Sequence, residues 1–376
     1  MPPLFKIPPL MPNPYTIALP RQTGIRNHAM TLRGETPSNV LFIVDPQNDF
    51  SDSCPNIRPA GSLYVPGSTA DYARIIQFLK NNDIQEVHVS LDTHSERHIA
   101  HPGFWEVSDT GLSWVNATDE NSQLRELRID ENGNIAGRNL LSETPDLDIL
   151  YYRPRHYGYT PQEYTTLRAY VQDYIKFFYQ PANILKQKPM IWPHHCIERS
   201  RGHRVAAELQ KFLERWVNRE AGTGPATKPR ILRYHNKGRN NLVEMYSAFS
   251  ADRPMTAEKT QNFLKAVYDG RTPPTFDHNA DGHANYANHS TNLNTERNDP
   301  LIEHLLRNNN HVYFCGEART HCVKATLLDV MQVVLENPTL YSPGNVELLQ
   351  NMSSPIAGHT DDIARIMREN GFSVSS

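Results

Sequence analysis

A thiol, a carboxylate, an amine and several imidazoles sit at points of this chain where they could act together. Cys322 follows an apolar run that ends at Gly316; a turn comes next, and a helical pattern begins near the cysteine. A thiol in the first turn of a helix faces unpaired N–H groups and the positive end of the dipole, which favour thiolate. Asp45 closes the apolar run Asn39–Val44 and could serve as a general base if neighbours tune its pKa. Beside Pro46 it suits a turn cap equally well. Lys237, in the segment Tyr234–Asn241, would hold a carboxylate and a thiolate in their anionic forms if the fold brings it near them. By itself it reads as a solvated loop lysine.

Asp92 and His94, two residues apart, together with His195 in the segment Trp192–Cys196, offer one carboxylate and two imidazoles. That donor set suits one divalent metal ion such as Zn, Fe or Mn, with positions left open for water or a substrate atom. His98 is an alternative ligand. His101 and His194 read better as surface or supporting imidazoles, because seventeen histidines make chance clusters common.

These residues need a scaffold that carries distant segments to one place. Asn39–Asp45 and Glu86–Asp92 have the β-branched and apolar character of strands buried on both faces. Pro229–Tyr234 and His311–Cys315 read as two more strands. Helical spacing runs through Ala70–Leu79, Leu301–Leu306, Cys322–Leu335 and Asp361–Asn370. Strands alternating with helices imply a parallel sheet covered on both faces, and ligands of such sheets gather at the carboxyl ends of the strands. Asp45, Asp92 and the Gly316 turn all fall at such ends.

Residues 1–37 are rich in Pro, Arg and Asn and read as an N-terminal extension, leaving 38–376 as the α/β domain. Two insertions interrupt it. The one at about 106–190 is tyrosine-dense around Tyr151–Tyr159 and suits a lid over a pocket or a homo-oligomer interface. The one at about 252–297 is polar and reads as surface loop. No internal repeat is visible. A formal charge of −3 and a pI near 6.6 give no support for a nucleic-acid surface. Mean hydropathy is −0.59, no apolar run is long enough to span a bilayer, and no signal-peptide pattern opens the chain. Four cysteines in 376 residues do not form a disulfide framework. The expectation is therefore a cytoplasmic enzyme with a small-molecule substrate and no nucleic-acid or membrane partner.

Taken in order, the segments resemble the isochorismatase-like cysteine hydrolases, and within them the nicotinamidases. Asp45–Phe50 is similar to the opening D-x-Q-N-D-F, Asp92–His98 to D-x-H-x-x-x-H, and Trp192–Cys196 to W-P-x-H-C. Lys237–Gly238 with Tyr246–Phe249 is similar to K-G…Y-S-A-F, and Gly316–Cys322 to G-x-A-x-x-x-C. The resemblance covers the strand framework but neither the N-terminal arm nor most of the insertions.

The resemblance implies a three-layer α/β/α fold with a six-stranded parallel sheet and a catalytic triad of Cys322, Asp45 and Lys237. It implies a metal held by Asp92, His94 and His195, with His98 as the runner-up. It further implies a cis peptide at Glu317–Ala318, an oxyanion hole from the N–H groups of Ala318 and Cys322, and an aromatic pocket with Phe50 and Trp192. Both aromatics also suit plain core packing. The implied activity is hydrolysis of nicotinamide to nicotinate and ammonia through a cysteine thioester. The alternatives are another small amide as substrate, or a non-catalytic family member. The chain departs from the family pattern in its length, in His321 before the cysteine, and in the charges of Glu317 and Arg319 within the turn.

Overall fold

The structure is a computed structural model. It describes residues 37–52, 60–95, 98–101, 190–256 and 294–375, with short pieces between 105 and 187 and between 258 and 263. The N-terminal extension and the tyrosines of 153–159 lie outside the described residues.

Six parallel strands form the central sheet: β1 (Asn39–Val44), β2 (Glu86–Asp92), β3 (Ile231–Lys237), β4 (His311–Gly316), β5 (Val346–Leu349) and β6 (Ser373–Ser375). They lie side by side in the order β3-β2-β1-β4-β5-β6. Strand order reverses between β1 and β4, and that is where open parallel sheets leave a crevice for a ligand. The register sets Val44 beside Gly316 and Asp92 beside Lys237.

Alternation along β1 explains the layers. Val40, Phe42 and Val44 pack into a cluster with α3 (Asp299–Leu306), α4 (Lys324–Glu336) and α5 (Ile363–Glu369). Leu41 and Ile43 point the other way, against α1 (Ser68–Asn81) and α2 (Ala207–Val217). Side chains of a strand alternate between faces, so a strand buried on both sides must be apolar throughout, as β1 is. The three-layer α/β/α arrangement with a six-stranded parallel sheet is thus present. No helix among the described residues is long and apolar enough to cross a membrane.

Several element bounds differ from the sequence expectation in ways that matter for the site. β3 runs on to Lys237, so the lysine is the last residue of a strand, fixed by pairing with β2, rather than a loop residue. The helix expected from Cys322 begins at Lys324, and Cys322 lies in a preceding π-helical turn, Arg319–Val323. Where β1 and β4 meet, Gly316 adopts φ +103°, and a Cβ there would lie 2.1 Å from the Val44 carbonyl oxygen. Only glycine allows that approach.

Of the first insertion, residues 173–178 are helical and docked. Tyr174 and Phe178 are buried, and the Tyr174 hydroxyl accepts a hydrogen bond from the Glu244 N–H at 2.9 Å. Tyr170 donates to the Leu242 carbonyl at 2.7 Å.

Candidate active site

Four strand ends meet around one ammonium group. Lys237 Nζ lies 3.0 Å from Asp45 Oδ2 and 2.9 Å from Asp92 Oδ1, and it donates to the Met245 carbonyl at 3.0 Å. Its fourth neighbour is Cys322 Sγ, at 3.6 Å. All four side chains are buried. The proposed triad residues, separated widely in sequence, are therefore in contact.

Each is held from behind. Asp45 takes φ 45° where the chain leaves β1; its Oδ1 accepts from Ser90 Oγ at 2.7 Å, and Ser90 Oγ accepts from the Asp45 N–H at 3.1 Å. Gln47 grips the end of β2 with both amide atoms: Nε2 donates to the Asp92 carbonyl at 2.8 Å, and Oε1 accepts from the Asp92 N–H at 2.7 Å. Neither Ser90 nor Gln47 stood out as functional in the sequence. A serine inside an apolar strand beside the Asp45 strand is the only signal that could have marked Ser90.

The electrostatics follow from two carboxylates and one amine taken out of water. Burial works against the charge of Lys237, but the carboxylates of Asp45 and Asp92 outweigh it and hold the amine well above its usual pKa. Asp45 is pushed up by burial and by Asp92, with Lys237 pulling the other way. Burial also acts on Asp92, yet His94 and Lys237 bring it well below the carboxylate range. The Cys322 thiol is driven well up by burial, which outweighs the pull of Lys237, and its hydrogen bond to Asp45 adds to the rise. Burial thus opposes the thiolate that a helix N-terminus alone would favour. Asp45, hydrogen-bonded to that thiol, is the carboxyl beside it.

The metal candidates adjoin this cluster. Asp92 Oδ2 faces His94 Nε2 at 2.9 Å and His195 Nε2 at 3.3 Å. The other ring nitrogens are committed to backbone carbonyls: His94 Nδ1 to Gly238 at 3.1 Å and His195 Nδ1 to Pro193 at 2.8 Å. With Nδ1 donating to those carbonyls, both Nε2 atoms would be available to a metal beside the Asp92 oxygen, the arrangement that orients imidazoles toward an ion. The remote segment is stitched in by backbone: the His94 N–H donates to the Cys196 carbonyl at 3.0 Å, and the Glu198 N–H to His94 at 2.8 Å. Two carboxylates and one ammonium taken out of water call for a further cation or proton. One carboxylate and two imidazoles are a donor set that fits a divalent ion.

His98, His101 and Glu244 complete the surround, and all three are buried. The rings of His94 and His98 are 4.1 Å apart, and His94, His98 and Glu244 are close enough to share an ion, as are His94, His101 and His195. Of the two expectations for His101, surface or supporting imidazole, the structure shows the second: its Nε2 lies 3.1 Å from His195 Nδ1. Glu244 went unnoticed because nothing in its local sequence distinguishes it; the docked insertion puts it there. Gly238 has φ +77°, and a Cβ on it would come within 2.7 Å of His94 Cε1 and 3.0 Å of Asp92 Oδ1. The glycine after the lysine therefore keeps space beside the carboxylate and imidazole.

Phe50 and Trp192 are buried in the apolar cluster that also contains Cys322 and Ala318. The Phe50 ring lies 5.5 Å from that of His195. Trp192 Nε1 donates to Tyr246 Oη at 2.9 Å, and its ring stands edge-on to His321 at 5.2 Å. His321, whose pKa burial lowers to about 3, is thus a neutral part of an aromatic wall. The Glu317–Ala318 peptide is cis. The unusual charges of this turn are directed away from the thiol: Arg319 pairs with Asp361 at 2.6 Å, while the Glu317 carboxyl, raised by burial and by Asp71, accepts from the Ser354 N–H at 3.3 Å.

No protein-family model matches the chain, and no curated protein matches it by sequence. Among solved structures it is similar to the yeast nicotinamidase Pnc1p bound to the inhibitor nicotinaldehyde, at 16% identity and a TM-score of 0.43, covering 90% of this chain and 99% of that one. It is also similar to an Acinetobacter baumanii nicotinamidase/pyrazinamidase at 14% identity and a TM-score of 0.40, over 90% and 96% of the two chains. A pyrazinamidase of Pyrococcus horikoshii in complex with zinc gives 14% identity and a TM-score of 0.35, over 90% and 99%. Likenesses this distant add no weight to the assignment, which stands on the side chains themselves.

Proposed function

We propose that the chain is a metal-dependent cysteine amidohydrolase acting on a small carboxamide, with nicotinamide as the leading substrate. The observation that carries this reading is the contact of Lys237 Nζ with Asp45, Asp92 and the Cys322 sulfur at once. A structural ion pair has no need of a thiol, whereas nucleophilic catalysis needs a thiol, a base and a charge that steadies both.

Asp45 takes the thiol proton as Cys322 Sγ attacks the amide carbon, and Lys237 offsets the negative charge that passes between them. The backbone N–H groups of Ala318 and Cys322 are assigned to the oxyanion. Asp45 then returns the proton to the departing ammonia, which leaves a thioester on Cys322. In the second half a water gives its proton to Asp45 and its oxygen to the acyl carbon; the acid departs, and the proton returns to sulfur. Asp92, His94 and His195 would hold the divalent ion, with His98 as the alternative ligand. A bound ion would supply an acidified water and a coordination position for a ring nitrogen. Phe50 and Trp192 are assigned to flank a flat ring.

Ammonia release from nicotinamide, with and without a chelator, tests the reading. Chelator-sensitive release that is lost in Cys322→Ala is the expected result. Release from other small amides but not from nicotinamide would move the substrate within the same chemistry. No release from any amide by the metal-loaded chain would overturn it.

A further inference from the structure

A second cluster of metal-binding side chains lies at the opposite end of β2. Glu86 and His88 are alternate residues of that strand and so point to the same face. Six residues separate Glu86 from Asp92, about 20 Å along the strand, so the two clusters share no side chain. His304, in the last turn of α3, completes the group from above.

Glu86 Oε2 is the common point. His88 Nε2 lies 3.3 Å from it and His304 Nε2 3.4 Å from it. Both are at the long end for an N–H···O hydrogen bond, the contact each imidazole makes with the carboxylate here. They match the edge of a tetrahedron of ligands around zinc, which is about 3.3–3.4 Å for bonds of about 2.0–2.1 Å. Among the described residues, Glu86, His88 and His304 form one of three sets whose donor atoms are close enough to share an ion, and the other two both include His94.

The surroundings supply the supports that a metal site uses. His88 Nδ1 faces His235 Nε2 at 2.9 Å, and the two rings are stacked within 1° of parallel at 5.1 Å. A proton on His88 Nδ1, shared with His235, leaves the His88 Nε2 lone pair facing Glu86 Oε2. Arg307 occupies the other carboxylate oxygen, Oε1. His304 is 22% exposed, which provides an entry path.

The geometry points to a second divalent-cation site of zinc type, held by Glu86, His88 and His304, with solvent as the fourth ligand. Because Arg307 already balances Glu86, the fold does not depend on the ion.

The test is to dialyse the intact chain against solutions of rising buffered zinc and to measure zinc bound per chain. One equivalent taken up by the intact chain should be missing from His304→Ala and from the more conservative His304→Gln. The same equivalent should persist in His94→Ala, which removes a ligand at the other end of β2. Equal zinc in the intact chain and both His304 variants would overturn the site. So would loss of this equivalent in His94→Ala, because the ion would then belong to the other cluster.

Discussion

The two ends of β2 carry similar ingredients under different control. At the carboxyl end, Asp92 shares its oxygens with two imidazoles and a lysine; at the amino end, Glu86 shares its oxygens with two imidazoles and an arginine. The cations make the difference. Lysine is a compact charge on a flexible stem, and here one ammonium reaches two carboxylates, a carbonyl and a sulfur. Arginine is committed as a planar fork and closes the account at Glu86 with one negative charge for one positive. The Asp92 end adds a second carboxylate and a thiol, at the crevice where strand order reverses. On the proposed reading, the chemistry falls at that end.

The comparison breaks first at the nucleophile. Cys322→Ala should lower amide hydrolysis by at least ~10³-fold with little change in thermal midpoint; near-normal ammonia release would remove the thiol from the mechanism. Asp45→Asn should cost roughly 10²–10⁴-fold in kcat with the secondary structure retained, measured by steady-state kinetics and circular dichroism. Lys237→Met tests the shared charge itself. It leaves two buried carboxylates without their cation and should destabilise by about 3–5 kcal/mol in urea denaturation, besides abolishing turnover. A stable Lys237→Met would mean that the carboxylates are already neutralised by protons or by metal.

At the other end of β2 the effect is smaller and is read through pH. Burial works to raise the Glu86 pKa, but His304, His88 and Arg307 outweigh it and hold the carboxyl well below its ordinary range. A carboxyl with a depressed pKa in the folded state stabilises the fold above its unfolded pKa of about 4.3 and loses that contribution as pH falls below it. Glu86→Gln should therefore lower the thermal midpoint near neutrality by a few degrees, roughly 1–2 kcal/mol, and the difference should shrink toward pH 3. A constant difference across that range would show that the loss is one of packing rather than ionisation.

Much of this was legible in the sequence, for identifiable reasons. β1 and β2 are continuous apolar runs, and their carboxyl-terminal aspartates mark the site directly. The proximity of Asp45, Lys237 and Cys322 was legible through the local patterns around them, which together resemble one family. β5 and β6 carried too little pattern to be seen: Val346–Leu349 and Ser373–Ser375 are short, and β6 is only partly buried. Lys237 was placed in a loop because Arg233, His235 and Asn236 hide an edge strand whose residues are only partly buried. The thiol was expected to favour its ionised form, because a helix start can be read from sequence and depth of burial cannot. Glu244 was missed for the same reason, since long-range packing alone brings it beside His94.

The Tyr174 hydroxyl, bound to the N–H of Glu244, sits one residue from the carbonyl that anchors Lys237. The long insertion is therefore bonded, one peptide unit away, to the segment that holds the amine. A deletion that removed Tyr174 would take the acceptor from the Glu244 N–H, next to the carbonyl on which Lys237 rests. What the sequence presents as an appendage is part of the wall behind that lysine.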